Sequence, residues 1–454
     1  MRKISRPPNR GARLHADRAG SAERPLRHDL VDAAVLEACG LALSQGWLAD
    51  RALERVLRRE RKLWASERRA ASEATYGIIR WRGQLEWLLG AGRPAEMPLL
   101  YALWLVRSTG LAAEEAGRRL GIPPKALQAV AGAEGRIAAI ADPVERLSVE
   151  ESLPRWIAER FAAEMGLAEA RVLARAMNTR APLAVRVNLL RATRDELARR
   201  LAGEGVGAAA TAHSPWGLVL DGHQNAFQLA SFKEGWFEIQ DEGSQLLALA
   251  VGARPGKRVV DACAGAGGKT LALAMEMRSK GELQALDSDA DRLSEAKRRA
   301  RRAGVSNLRI RAIPAGAGAE EALADLCGTA DRVLVDAPCS GLGTLRRKPD
   351  ARWRLQPGEP ERFAALQREL AARFARLLKP GARMLYATCA IGRTENEEVA
   401  RFVEEELGLR PAPLAEPLGA ERAAALGITG HQMKLLPHLH FTDGFFGALF
   451  EKAK

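Results

Sequence analysis

The stretch Val333-Leu-Val-Asp-Ala-Pro-Cys-Ser-Gly341 decides how the chain is read. A short apolar run closes on an acid, a proline and a thiol, the pattern of a buried strand running into a tight turn. Arg383-Met-Leu-Tyr-Ala-Thr-Cys389 is a second run of the same kind, and it too ends in a thiol. The interval between Cys339 and Cys389 leaves room for one loop and one helix between parallel neighbours. In an open parallel sheet, chemistry gathers at the carboxyl ends of adjacent strands. Both thiols are therefore expected at one crevice.

Working outward, residues 237–454 alternate between strand and helix patterns, the sign of a doubly wound α/β sheet. Strands are expected at 258–262, 282–286, 308–313, 333–337 and 382–387, and helices near 269–277, 290–303, 361–378 and 395–407. Two late strands, 432–436 and 445–450, lack a helix between them, as an antiparallel hairpin at a sheet edge would. Upstream, residues 144–236 predict a smaller mixed α/β subdomain. In it Leu183–Leu189 alternates as a strand, with Arg186 and Asn188 on one side. Residues 29–143 repeat apolar positions at helical spacing and predict an all-helical domain. Trp47, Trp64, Trp81, Trp87 and Trp104 lie there, mostly as core anchors; Arg80-Trp81-Arg82 alternates cation and aromatic as an RNA-binding face does. Residues 1–28 carry eight Lys/Arg against two Asp/Glu without apolar periodicity, and read as a disordered basic arm.

Composition narrows the class. The net charge of +13 favours a polyanionic partner. No apolar run of about 18 residues exists, so no membrane span is expected. Five irregularly spaced cysteines do not make a disulfide framework, which points to a reducing, cytoplasmic setting. No Cys/His set has metal-ligand spacing, so no metal is expected. The chain is taken as a monomer.

The first strand of the alternating region runs into Asp261-Ala-Cys-Ala-Gly-Ala-Gly-Gly-Lys-Thr270. Glycines at a helix N-terminus let backbone N–H groups approach a ligand. The next strand ends in Asp287, placed to accept both hydroxyls of a ribose. A dinucleotide and S-adenosylmethionine both fit that pattern. The thiols narrow the chemistry. A thiolate adding to carbon 6 of a cytosine makes carbon 5 nucleophilic toward an electrophilic methyl. A second group then helps remove the carbon-5 proton or release the product, and a carboxyl at the ring edge holds developing charge. Cys389, Cys339 and Asp336 are residues of those types. Beyond Cys339, Arg346, Arg347, Lys348, Arg352 and Arg354 surround Trp353, a basic loop suited to a phosphate backbone with an aromatic for stacking. Two rival readings stand beside this one: a non-catalytic RNA-binding or ribosome-assembly protein that keeps the fold, and a nicotinamide-dependent oxidoreductase.

The motifs at 261–270, 336–341, 346–350 (Arg-Arg-Lys-Pro-Asp) and 386–389 (Tyr-Ala-Thr-Cys) resemble, in order and spacing, those of the Sun-type (Fmu) family of RNA cytosine-5 methyltransferases. So do Gln240-Asp-Glu-Gly-Ser-Gln245 and Asp443-Gly-Phe-Phe446. Residues 29–143 resemble the NusB-like RNA-binding domain of the ribosomal small subunit methyltransferase B branch. The resemblance implies a Rossmann-like class I methyltransferase sheet and S-adenosylmethionine as cofactor. It implies that Cys263, Ala264, Gly265, Ala266, Gly267, Gly268, Lys269, Asp287, Arg292 and Asp336 hold that cofactor. Cys389 would be the nucleophile, Cys339 the residue that assists product release, and Asp336 and Lys269 their catalytic neighbours. The RNA, a small-subunit ribosomal RNA, would be met by Arg346, Arg347, Lys348, Arg352, Trp353, Arg186 and Asn188. The family usually carries an acid just after the third strand; Ile313–Ala319 offers none. Ala266 stands where Pro is common, and Ala390 where Ser is.

Overall fold

The computed structural model describes residues 25–90, 96–222, 225–314, 316 and 318–454. The expected basic arm lies outside the described residues up to position 24. Helices from His28–Leu43 to Pro143–Glu150 build the amino-terminal domain. Its core holds Val35, Ala38, Cys39, Ile78 and Leu100, each almost fully buried. The longest helix, Ala65–Leu89, packs closely enough against Trp104 that Gly77 has no room for a side chain. Trp47, by contrast, is 37% exposed and lies under Arg55.

The middle subdomain pairs four antiparallel strands, β1 (Ala184–Val187), β2 (Ala208–Ala210), β3 (Gly217–Leu220) and β4 (Phe237–Ile239), in the order β2-β3-β1-β4. β4 falls where the large sheet was expected to open. It pairs with β1 instead, Phe237 opposite Val187, because the Phe237 ring is fully buried against Phe232 in the small sheet's core. The boundary with the catalytic domain therefore lies beyond Ile239.

The large sheet contains β5 (Arg258–Asp261), β6 (Glu282–Asp287), β7 (Leu308–Ala312), β8 (Ala330–Asp336), β9 (Leu378–Thr388), β10 (Arg410–Pro411), β11 (Gln432–Leu435) and β12 (Phe445–Glu451). Its order is β10-β12-β9-β8-β5-β6-β7, with β11 on the free flank of β12. β5 to β9 run parallel; β12 lies antiparallel between β9 and β11, so the late pair forms the expected hairpin and also extends the sheet. Side chains alternate across the pleat. Leu334 and Leu385 enter one core with Leu247 and Leu273, while Val333, Val335 and Met384 enter the other with Phe374. Such two-sided burial explains why these strands read as continuous apolar runs. Strand order reverses between β8 and β5, which opens a crevice at their carboxyl ends.

Among the described residues, no helix is long and apolar enough to cross a membrane.

Candidate active site

Four strand ends supply the crevice. β5 leads into the glycine loop, β6 ends in Asp287, β8 in Asp336 and β9 just before Cys389. Gly265 has φ +53° and Gly267 +83°, a left-handed path that glycine adopts without strain. A side chain added at Gly265 or Gly268 would meet nothing within 4 Å, so the loop faces open space. The helix Gly268–Glu276 begins there and presents unpaired N–H groups. Asp287 accepts the Gly265 N–H at 2.7 Å and the Asp289 N–H at 2.9 Å, which orients its carboxylate at the loop mouth. Asp261 is buried and accepts from Thr270 Oγ1 at 2.6 Å, while its other oxygen has no protein partner. Burial, partly offset by the Thr270 bond, pushes its carboxyl up to about 7. Burial first, and then the charges of Asp261, Asp336 and Asp287, hold the Cys263 thiol well above its ordinary value. A half-buried loop bordered by three carboxylates and open above Gly265 and Gly268 fits a ligand that carries a ribose and a positive charge. Arg292, in the first turn of the Ala290–Ala303 helix, is exposed and pairs with Asp289 at 3.5 Å beside this mouth.

The two thiols meet. Cys339 Sγ and Cys389 Sγ are 3.3 Å apart, and the Cys389 N–H points at Cys339 Sγ from 3.4 Å. Both are partly exposed at the crevice floor. The hydrogen bond from Cys339 lowers the proton affinity of Cys389, helped by Lys269 and Lys348 against burial and Asp336. The same bond, with burial, raises Cys339 well above its ordinary value. Sharing one hydrogen bond, the pair holds one sulfur as thiol donor and the other as acceptor, and Lys269 and Lys348 favour Cys389 as the acceptor. Lys269 Nζ donates to Asp336 Oδ2 at 2.7 Å and lies 5.7 Å from the centre of the Phe445 ring. Burial works against its charge, but Asp336 outweighs it and keeps Lys269 protonated.

Behind the thiols is a buried polar network not foreseen from the sequence. Glu395 accepts from Ser340 N at 2.8 Å and from Ser340 Oγ at 2.5 Å. Gln367 donates to the Pro338 carbonyl at 3.0 Å and to Glu395 at 3.2 Å, and Tyr386 Oη donates to the Glu395 carbonyl at 2.5 Å. These bonds set the turn that presents Cys339. On the other strand, Thr388 Oγ1 donates to Asn396 at 2.6 Å, and Asn396 returns a bond to the Ala390 carbonyl at 3.2 Å. An acid near a helix start reads as a cap, so Glu395 carried no distinguishing signal.

The basic loop is corrected by the structure. Arg352 is fully buried and donates to the carbonyls of Arg80, Glu151 and Ser152 and to Asn178 Oδ1. Trp353 Nε1 donates to the Ile79 carbonyl at 2.6 Å, and its ring abuts Gly83. Neither is available to RNA. Arg346 is mostly buried, reaching the carbonyls of Phe441 and Arg180 at 3.4 and 3.1 Å. Arg347 is clamped between Asp241 at 2.8 Å and Asp443 at 2.5 Å. Arg80 donates to the Arg346 carbonyl at 3.0 Å, so the Arg80–Arg82 face meets this loop rather than solvent. Of the loop's basic residues Lys348 and Arg354 are exposed, and Arg354 pairs with Asp350 at 3.1 Å.

Arg186 and Asn188 are likewise buried. Asn188 ties together the carbonyls of Gly235 and Ala303, both at 2.8 Å. Arg186 donates to Gln240 and, at 2.9 Å, to the Gly268 carbonyl. Arg299, paired with Glu238 at 3.0 Å, donates to the Ala266 carbonyl at 2.7 Å. The small sheet thus braces the glycine loop from behind. The reason is packing: every residue of β1 is buried between the small sheet's neighbours and the catalytic domain.

Known proteins carry the same plan. Residues 248–451 match the profile of the 16S rRNA methyltransferase RsmB/F family, and residues 153–226 that of the RsmF/B-like ferredoxin-like domain. A probable ribosomal RNA small subunit methyltransferase B of Synechocystis is 35% identical over 315 residues, 68% of this chain and 69% of that protein. The ribosomal RNA small subunit methyltransferase B of Sodalis glossinidius is 30% identical over 84% of this chain and 89% of its own length. The crystal structure of PH0851 superposes with a TM-score of 0.77 at 27% identity, covering 94% of this chain and all of the other. The chain belongs to the RsmB/F family of S-adenosylmethionine-dependent methyltransferases.

Proposed function

We propose that the protein methylates carbon 5 of a cytidine in RNA, within small-subunit ribosomal RNA, through a covalent bond between Cys389 and carbon 6 of the base. The observation that carries this reading is the thiol pair, 3.3 Å apart where β8 and β9 end at the crevice. S-adenosylmethionine, when bound, supplies an electrophilic methyl on a sulfonium. Residues 263–269, Asp287 and Asp336 would hold it, the glycine loop giving close backbone approach and Asp287 accepting the ribose hydroxyls. The acids around the loop complement its positive charge.

Cys389, as thiolate, adds to carbon 6, and the ring's electrons shift to make carbon 5 nucleophilic. Charge that builds on the pyrimidine is met by the Lys269–Asp336 pair at the ring edge. After methylation the carbon-5 proton passes to solvent water, the C–H electron pair re-forms the carbon 5–carbon 6 double bond, and the Cys389–carbon 6 bond breaks with its pair returning to sulfur. Cys339, still protonated, stabilises the departing Cys389 thiolate through their hydrogen bond, and so assists release. RNA phosphates would meet the exposed Lys348.

Incubating the protein with methyl-labelled cofactor and unmodified small-subunit ribosomal RNA, then digesting to nucleosides, tests the reading. Label in 5-methylcytidine is expected. Label confined to another nucleoside, or none, rejects it.

A further inference from the structure

Phe441 combines three properties seldom found together. Its φ is +61°, a left-handed conformation that bulky side chains adopt only under strain. Its ring is 73% exposed, the highest exposure of any large hydrophobic side chain among the described residues. And its backbone is fastened to the crevice: Arg346 donates to the Phe441 carbonyl at 3.4 Å, and three residues on, the Gly444 N–H donates to the Gly343 carbonyl at 2.8 Å. Gly343 in turn donates to the Cys389 carbonyl at 2.9 Å. Its short connection to Phe445, which packs beside Lys269, ties it to the same wall.

Strain at a solvent-facing aromatic gains nothing for folding. Glycine would take this backbone at no cost, and a ring so exposed gains little from packing. Such strain is retained where the side chain is used. We propose that Phe441 is a substrate-binding residue that stacks on an unpaired RNA base next to the reacting one. RNA is favoured over a protein partner because the residue stands on the wall of the substrate crevice: Arg346 holds its carbonyl, and Gly444, three residues on, is bonded through Gly343 to Cys389. Exposed aromatic rings are what the bases of single-stranded RNA stack on, each stacked base being worth roughly several-fold to a hundredfold in affinity. This inference rests on RNA being the substrate, and not on which carbon is methylated.

The test compares wild type with Phe441→Gly, Phe441→Asn and Phe441→Trp, measuring both affinity for unmodified small-subunit ribosomal RNA and thermal stability. Gly and Asn tolerate the left-handed backbone, so both variants should fold at least as stably as wild type. Both should bind RNA at least about fivefold more weakly and raise KM for RNA by the same factor, with KM for the cofactor unchanged. Phe441→Trp should restore binding. RNA affinity equal to wild type in the Gly and Asn variants overturns the proposal and leaves the exposed ring as a protein-docking feature. The binding ratio reads Phe441 whatever nucleoside is methylated, so failure here is separable from failure of the cytidine assignment.

Discussion

At the scale of single residues, the two sulfurs differ because one hydrogen bond and two lysines act on them unequally. Cys389 is lowered by Cys339, Lys269 and Lys348; Cys39, buried in the helical domain without such neighbours, is pushed up to about 12 by burial. The rate of methyl transfer should therefore rise with pH and level off at a midpoint below the ordinary thiol value of 9.0. Cys339→Ala should move the midpoint of any residual bond-forming step upward, and a kcat/KM–pH profile reads both. A second titration concerns stability. Burial raises the Glu276 carboxyl from 4.5 to about 8. A raised acid costs nothing below its unfolded pKa and destabilises progressively as pH climbs toward its folded one. Glu276→Gln should therefore raise Tm at pH 8 to 9, with the gain vanishing near pH 4; melting curves across that range check it. The thiols, Asp336 and Lys269 were legible because each closes a strand or opens a helix in a recognisable run. Glu395 and Gln367 were not, since a buried acid and amide acquire meaning only when the Cys339 turn folds onto them.

At the scale of elements, the segment from Gly341 to Arg354 acts mainly as a tether, with Lys348 left exposed on it. It begins at the reactive turn and ends inside the helical domain's surface. Burial lowers Arg352 to about 9; its Nη1 reaches backbone carbonyls and Asn178, while its buried Nε and Nη2 have no partner among the described residues. Arg352→Ala leaves those acceptors unpaired and should cost about 3 kcal/mol, measured by denaturant unfolding. Its effect on RNA affinity, once the protein is folded, should be small. Alternating cations and aromatics look alike in a sequence whether they meet phosphates or carbonyls. The carbonyls of Arg80, Glu151 and Ser152 come from distant segments, so nothing local distinguished the two cases.

At the scale of the whole molecule, the helical domain is joined to the catalytic centre through that tether. Asp350 accepts from the Ala49 N–H at 3.5 Å, and Arg80 grips the Arg346 carbonyl. The helical and catalytic domains should melt in one calorimetric transition, and Arg352→Ala should split it into two. A single unsplit transition in that variant would mean the joint is carried elsewhere. The order of strands and helices in the large sheet was readable because two-sided burial produces uninterrupted apolar runs. The pairing of Phe237–Ile239 with the small sheet was not, because three residues choose their partner sheet by tertiary packing and carry no period long enough to announce it.

The central claim is that Cys389 bonds to the base and Cys339 releases it. Denaturing gel analysis of each alanine variant incubated with S-adenosylmethionine and unmodified small-subunit ribosomal RNA tests it most directly. Cys339→Ala should accumulate a protein–RNA adduct that survives denaturation, and Cys389→Ala should form none. An adduct with Cys389→Ala but not with Cys339→Ala would contradict the account.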